Sequence, residues 1–83
     1  MKVCYFAWVR ERIGYAEEEI ALPDDVRTVG EAIVWLKGRG ENYAEAFANE
    51  KAVRTALDRR HVKQDAVIAG AREIAFFPPM TGG

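Results

Sequence analysis

The sequence contains the segment Thr28-Val29-Gly30-Glu31-Ala32-Ile33-Val34-Trp35-Leu36-Lys37-Gly38, which predicts the main helix. Thr28 and Glu31 have the spacing of a capping box, in which each side chain accepts a hydrogen bond from a backbone N–H group at the helix start. Apolar residues then recur at intervals of three and four, which places one stripe against a core. That stripe consists of Val29, Ala32, Ile33 and Leu36. Gly38 and Gly40 end the helix.

Two strands are predicted before this helix. Residues 3–9 are rich in aromatic and β-branched side chains, which is typical of a strand. Residues 17–22 predict a weaker second strand that forms a hairpin with the first. The residues between them are mostly polar and include Gly14, so we expect a turn or a single helical turn there.

Further elements are predicted after the helix. Residues 42–48 fit a second short helix, residues 52–57 a third strand, and residues 73–77 the last strand. Residues 61–68 are compatible with a short strand and a turn. The order predicts an α+β domain over residues 1–77 with the β-grasp, or ubiquitin-like, fold: a mixed sheet of four to five strands on one main helix, with a second short helix. The first and last strands are separated by the helix, so they can pair in parallel.

Both faces of the first predicted strand are apolar. One face carries Val3, Tyr5, Ala7 and Val9, and the other carries Cys4, Phe6 and Trp8. The helix of a small domain covers only one face, so the Phe6 face predicts a contact with another protein. In the last strand, Ile74 and Phe76 share one face while Ala75 and Phe77 share the other. We assign Tyr5 and Phe76 to the core under the helix.

Composition excludes several functions. The chain has 83 residues, 12 Lys+Arg and 13 Asp+Glu, for a net charge of −1, which argues against a nucleic-acid partner. No apolar run approaches the roughly 20 residues of a membrane span, and no signal peptide is evident, so a cytoplasmic protein is expected. One cysteine permits neither an internal disulfide nor a cysteine-built zinc site. A domain this small is expected to be a carrier, an adaptor or a subunit that completes another protein's site.

Three other features favour structural roles. Cys4, the only thiol, is expected to act as a small apolar residue. His61 has no cysteine or serine partner in view, so a catalytic role is not expected. The run Glu17-Glu18-Glu19 is expected to be a solvated hairpin edge.

The last six residues, Pro78-Pro79-Met80-Thr81-Gly82-Gly83, carry the functional hypothesis. The prolines stop the last strand and favour a stiff extended path. Six residues reach at most about 20 Å, so residues 78–83 form an extended tail. Gly82 and Gly83 lack side chains and can thread a narrow tunnel, and Gly83 would present an α-carboxylate at the tip.

The sequence resembles the small, sulfur-carrying subunit of molybdopterin synthase, a ubiquitin-like β-grasp family. The resemblance is carried by residues 3–11 at the start, Val-Cys-Tyr-Phe-Ala-Trp-Val-Arg-Glu, and by the closing motif Phe-Phe-Pro-Pro-x-x-Gly-Gly of residues 76–83. It covers essentially the whole chain. It departs from the family pattern at Gly70-Ala71-Arg72, at Leu57-Asp58 and at His61, where an aliphatic contact residue is common.

This resemblance implies a chemistry for the tail. An adenylyltransferase similar to the ubiquitin-activating enzymes uses Mg-ATP to activate Gly83, which then becomes a thiocarboxylate. Gly82 lets the tail thread into the large synthase subunit, where sulfur passes to cyclic pyranopterin monophosphate and forms the molybdopterin dithiolene. The carrier itself binds no cofactor and no metal. The expected partners are therefore the large subunit and the activating enzyme, within a heterotetrameric synthase.

The resemblance also implies which residues contact the large subunit. These are Phe6, Arg10, Phe77, Pro78, Pro79, Met80 and Thr81. Two alternatives stay open at this point. The first is a β-grasp sulfur carrier for another product, such as the thiazole of thiamine or a thiolated tRNA base. The second is a ubiquitin-like protein modifier or an inert binding module.

Overall fold

The computed structural model describes residues 1–79, which form a five-stranded mixed sheet and three α-helices. The predicted tail residues Met80, Thr81, Gly82 and Gly83 lie outside the described residues. In chain order the elements are β1 (Lys2–Tyr5), α1 (Ala7–Ile13), β2 (Glu17–Glu19), α2 (Val29–Lys37), α3 (Glu41–Ala46), β3 (Arg54–Leu57), β4 (Arg60–Val62) and β5 (Glu73–Phe77). A 3-10 turn, Glu50–Ala52, precedes β3.

The sheet has the strand order β2-β1-β5-β3-β4. Its central strand, β5, runs parallel to β1, with Val3 opposite Ile74 and Tyr5 opposite Phe76. The other neighbours are antiparallel. The predicted β-grasp arrangement is therefore confirmed, including the parallel pairing of the first and last strands.

Helix α2 follows the sequence prediction closely. The Glu31 backbone N–H donates to Thr28 Oγ1 at 3.2 Å, and the Thr28 backbone N–H donates to Glu31 Oε1 at 3.0 Å, which completes the capping box. Backbone N–H groups of Arg27 and then Thr28 hold the pKa of the Glu31 carboxyl below its ordinary value. The predicted apolar stripe is buried, and Lys37 is the last helical residue before Gly38.

The first strand is shorter than predicted, and a third helix replaces its second half. β1 ends at Tyr5, and α1 begins at Ala7 after the extended residue Phe6. Val9 and Ile13 are 0% and 3% exposed and lie one helical turn apart, so α1 buries both against the core. That burial outweighs the strand preference of the local sequence, so the prediction of a strand over residues 3–9 was wrong beyond Tyr5. The helix ends at Gly14, whose φ of 96° suits glycine.

An aromatic cluster forms the centre of the core. The Phe76 ring meets the edge of Phe47 at 5.0 Å between ring centroids and stacks with Tyr5 at 6.3 Å. As predicted, Tyr5 and Phe76 lie under the helices, where they are 1% and 0% exposed. All three helices bury side chains in the cluster that contains these β1 and β5 residues. The opposite face of the sheet therefore carries no helix within residues 1–79.

The glutamate run on β2 differs from the prediction at its middle position. Glu17 and Glu19 are exposed, whereas the Glu18 side chain is 15% exposed. Its carboxylate accepts hydrogen bonds from the Tyr5 hydroxyl at 2.9 Å and the Tyr43 hydroxyl at 2.7 Å. This carboxylate joins β2 to β1 and α3.

The two tyrosines predict a loss of stability at alkaline pH. Burial, and then the hydrogen bond to Glu18, raises the pKa of the Tyr5 hydroxyl, and the same two causes raise that of Tyr43. The folded protein therefore holds these protons more tightly than the unfolded chain, whose phenols titrate near about pH 10. The stabilisation is complete below that pH and is lost as pH rises above it, by up to about 1.4 kcal/mol per pH unit for each tyrosine.

Urea unfolding between pH 8 and pH 11 measures this effect. Tyr5→Phe is expected to flatten the decline in the free energy of unfolding above pH 10. Tyr15→Phe, which removes the hydroxyl of a 53% exposed ring, is the matched control. Equal slopes in Tyr5→Phe and the wild-type protein would contradict the explanation.

Candidate functional site

Pro78 follows β5 at the carboxyl end of the parallel strand pair β1 and β5. β1 and β5 are parallel, so they end at the same edge of the sheet. The Phe6 backbone N–H donates to the Phe76 carbonyl oxygen at 3.1 Å, which fixes Phe6 beside the last residues of β5. Phe6 is 52% exposed and Phe77 is half-buried, so two aromatic side chains border the point where Pro78 follows the sheet.

The uncovered side of the sheet, called the open face below, extends from this point. Its side chains come from the strand positions that alternate with the core residues. In the ladders, Cys4 lies opposite Ala75, Ala75 opposite Ala56, and Ala56 opposite His61. The open face is thus defined by Lys2, Cys4, Glu17, Arg54, Ala56, His61, Glu73, Ala75 and Phe77, with small side chains at its centre. Such a flat, partly apolar surface fits contact with another protein.

His61 is the open-face residue that the sequence reasoning undervalued. Its ring lies 5.1 Å from the Phe77 ring, measured between centroids. The two residues are 16 positions apart, and only the β3–β4 turn and the β3–β5 pairing bring them together. In the sequence, His61 lies in a short alternating segment. That alternation assigns His61 to a face of the sheet only once β4 is known to be a strand.

The predicted contact residues are distributed around this edge. Phe6 and Arg10 are exposed, as expected for contact residues. Phe6 caps α1 and does not continue a strand face, so strand alternation was the wrong reason to expect its exposure. Phe77 lies on the open face and is half-buried, as are Pro78 and Pro79. The predicted contacts Met80 and Thr81, and the predicted chemical residues Gly82 and Gly83, lie outside the described residues.

Cys4 is poorly suited to react as a thiolate. It is 8% exposed, and its Sγ donates to Glu73 Oε1 at 3.5 Å. Burial and then the Glu73 carboxylate raise the pKa of the thiol. Reactive cysteines have a depressed pKa and an accessible sulfur, so this geometry agrees with the structural role expected for Cys4.

Residues 1–79 contain neither a cluster of metal ligands nor a helix able to span a membrane. No group of three or more His, Cys, Asp or Glu side chains in this part of the chain is arranged to hold a metal ion. Across the same residues, every helix is too short or too polar to pass through a lipid bilayer.

The fold defines a class of protein: a ubiquitin-like β-grasp domain, whose last strand ends beside the open face. The model of the ThiS family matches residues 3–83. The chain therefore belongs to the ThiS family. It is similar to the molybdopterin synthase sulfur carrier subunit of Haemophilus influenzae, with 34% identity over 83 residues, which cover 100% of this chain and 99% of that protein.

Solved structures agree with this placement. A Pyrococcus furiosus protein described as a candidate molybdopterin converting factor, subunit 1, is 33% identical with a TM-score of 0.74, and the match covers 95% of each chain. The small archaeal modifier protein 1 of Haloferax volcanii is 21% identical with a TM-score of 0.72, covering 96% of this chain and 97% of that one. At 21% identity, the similarity to the archaeal modifier protein supports the fold alone.

Proposed function

We propose that the chain is the sulfur carrier subunit of molybdopterin synthase. The observation that carries the proposal is the similarity to a curated subunit of that name over the whole chain. The motif Phe76-Phe77-Pro78-Pro79, followed by Gly82-Gly83, and the exit of the tail beside the open face give it a physical basis.

In this proposal the α-carboxylate of Gly83 is the reacting group. A carboxylate is a poor acyl donor because its charge repels nucleophiles and oxide is a bad leaving group. An activating enzyme therefore joins a carboxylate oxygen to the α-phosphate of Mg-ATP and releases pyrophosphate. A sulfur donor at the sulfide level then displaces AMP, which leaves a thiocarboxylate on Gly83.

The loaded tail next enters the active site of the large synthase subunit. Sulfur bonds to a carbon of cyclic pyranopterin monophosphate as a carbon–oxygen bond at that carbon breaks and the oxygen leaves. Water then cleaves the acyl–sulfur bond, which restores the Gly83 carboxylate. Two loaded tails, used in sequence, supply both dithiolene sulfurs. The body contributes docking through Phe6, Arg10 and Phe77, and the tail contributes position, so the rate gain is one of proximity.

Intact mass measures the loading step. After incubation with the activating enzyme, Mg-ATP and sulfide, the protein is expected to gain the mass difference between sulfur and oxygen. Addition of the large subunit and the pterin substrate is expected to return the mass to its starting value as molybdopterin appears. An unchanged mass, where a known carrier converts in parallel, would refute the proposal. Loading without transfer to this pterin would favour a carrier for another product, and attachment to a protein lysine would favour a modifier.

A further inference from the structure

The basic segment around β4 has no part in the tail chemistry, yet the sheet gives it a defined place. The turn at Asp58 and Arg59, whose φ angles are 47° and 69°, folds β4 back along β3. His61 of β4 lies on the open face, and Lys63 directly follows the strand. A cleft of about 400 Å³ results, lined by Arg54, Thr55, His61, Val62 and Lys63.

Arg54 and Lys63 of this cleft make no ion pair within residues 1–79. No carboxylate oxygen in that range lies within 4.0 Å of the charged nitrogens of Arg54 or Lys63. Asp58, the carboxylate of the adjoining turn, accepts hydrogen bonds from the backbone N–H groups of Arg72 and Glu73, each at 3.0 Å. The β4 side of the open face therefore presents exposed positive charge.

The opposite side of the open face is acidic and internally paired. Lys2 Nζ lies 3.6 Å from Glu17 Oε2 and 3.8 Å from Glu73 Oε1. The open face is thus polarised, with carboxylates toward β2 and cations toward β4. A partner surface that matches this polarity can dock in one orientation only, because the reversed orientation brings like charges together.

The cleft also borders the aromatic contact at the base of the tail. Arg54 lies opposite Phe77 in the β3–β5 ladder, and His61 packs against the Phe77 ring. A protein that covers Phe77 therefore reaches Arg54, and its side chains extend toward Lys63. Charges at the border of an apolar contact speed association and select the orientation of docking.

We infer that the cleft between Arg54 and Lys63 receives carboxylate side chains of the protein that docks on the open face and so fixes the direction in which the tail is aimed. The inference rests on the proposed function, because it takes that protein to be the large synthase subunit. The observation behind it is positive charge beside an apolar contact: Arg54 and Lys63, which make no ion pair within residues 1–79, line a cleft that borders Phe77.

Binding of the large subunit from the same organism to two double variants tests this inference. Arg54→Gln with Lys63→Gln is expected to raise the dissociation constant about tenfold at about 0.05 M salt, and by less than about threefold at about 0.5 M salt, because salt screens the attraction. The matched control is Arg27→Gln with Arg72→Gln. It removes the same charge from exposed residues near the amino-terminal ends of α2 and β5, and it is expected to bind like the wild-type protein.

The outcomes separate the two proposals. An equal loss in both double variants would mean that net charge alone acts, and wild-type affinity in the cleft variant would mean that the cleft is not used. Either result overturns the inference and leaves the proposed function standing. If the wild-type protein fails to bind the large subunit, the proposed function fails and the inference falls with it.

Discussion

Deleting Gly83, or adding one alanine after it, is expected to lower sulfur transfer at least about 100-fold without unfolding the domain. Either change moves the reacting carbon by up to about 3.6 Å along an extended tail. A displacement of about 1 Å in a positioned reactant can already cost about 100-fold in rate. The core residues of the sheet and helices are untouched, so the melting temperature is expected to stay at the wild-type value.

A matched insertion separates tail length from chain length. One alanine added before Met1, at the far end of β1, is expected to retain wild-type transfer in a synthase assay with the large subunit and the pterin substrate. Full transfer by a variant that lacks Gly83 would show that the reacting group lies elsewhere, and the threading explanation would be abandoned.

Two adjacent phenylalanines are expected to respond to substitution in opposite ways. Phe76 is 0% exposed and contacts Phe47 and Tyr5, so Phe76→Ala is expected to cost about 3–5 kcal/mol of the free energy of unfolding. That is a large share of the roughly 5–15 kcal/mol that holds a domain folded. Phe77 is half-buried on the open face, so Phe77→Ala is expected to cost less than about 1 kcal/mol in stability. It is expected to weaken large-subunit binding about 30-fold, as truncation of an aromatic hot spot does.

Urea unfolding and binding calorimetry on both variants measure the contrast. If Phe76→Ala is too unstable to purify, Phe76→Leu keeps most of the apolar volume and is expected to lose about 1–1.5 kcal/mol while binding normally. If Phe77→Ala loses stability while keeping its affinity for the large subunit, the assignment of Phe77 to the docking contact is wrong, because Phe77 would then belong to the core.

Local signals in the sequence were sufficient for part of the fold. The capping box of Thr28 and Glu31 and the apolar stripe behind it fix α2 with residues at most seven positions apart. The alternation of Ile74 and Phe76 with Ala75 and Phe77 fixed β5 and its two faces. These features depend on neighbours in the chain, so a single sequence displays them.

The rest of the fold depends on partners distant in the chain. The segment after Tyr5 has strand-like composition, and only the core that receives Val9 and Ile13 selects the helix. Glu18 resembles its exposed neighbours until Tyr43, 25 positions away, reaches its carboxylate. His61 meets Phe77 through two strand pairings. The sequence alone therefore identified the aromatic residues at the end of β5, while the charged border of the open face required the sheet.

The most direct test of the central claim is the position of sulfur in the loaded protein. After incubation with the activating enzyme, Mg-ATP and sulfide, the protein is digested and its peptides are sequenced by tandem mass spectrometry. We expect the substitution of one oxygen by sulfur in the fragment that contains Gly83, and an unmodified Cys4. A Gly83 fragment without sulfur, in protein whose intact mass shows loading, would contradict the account.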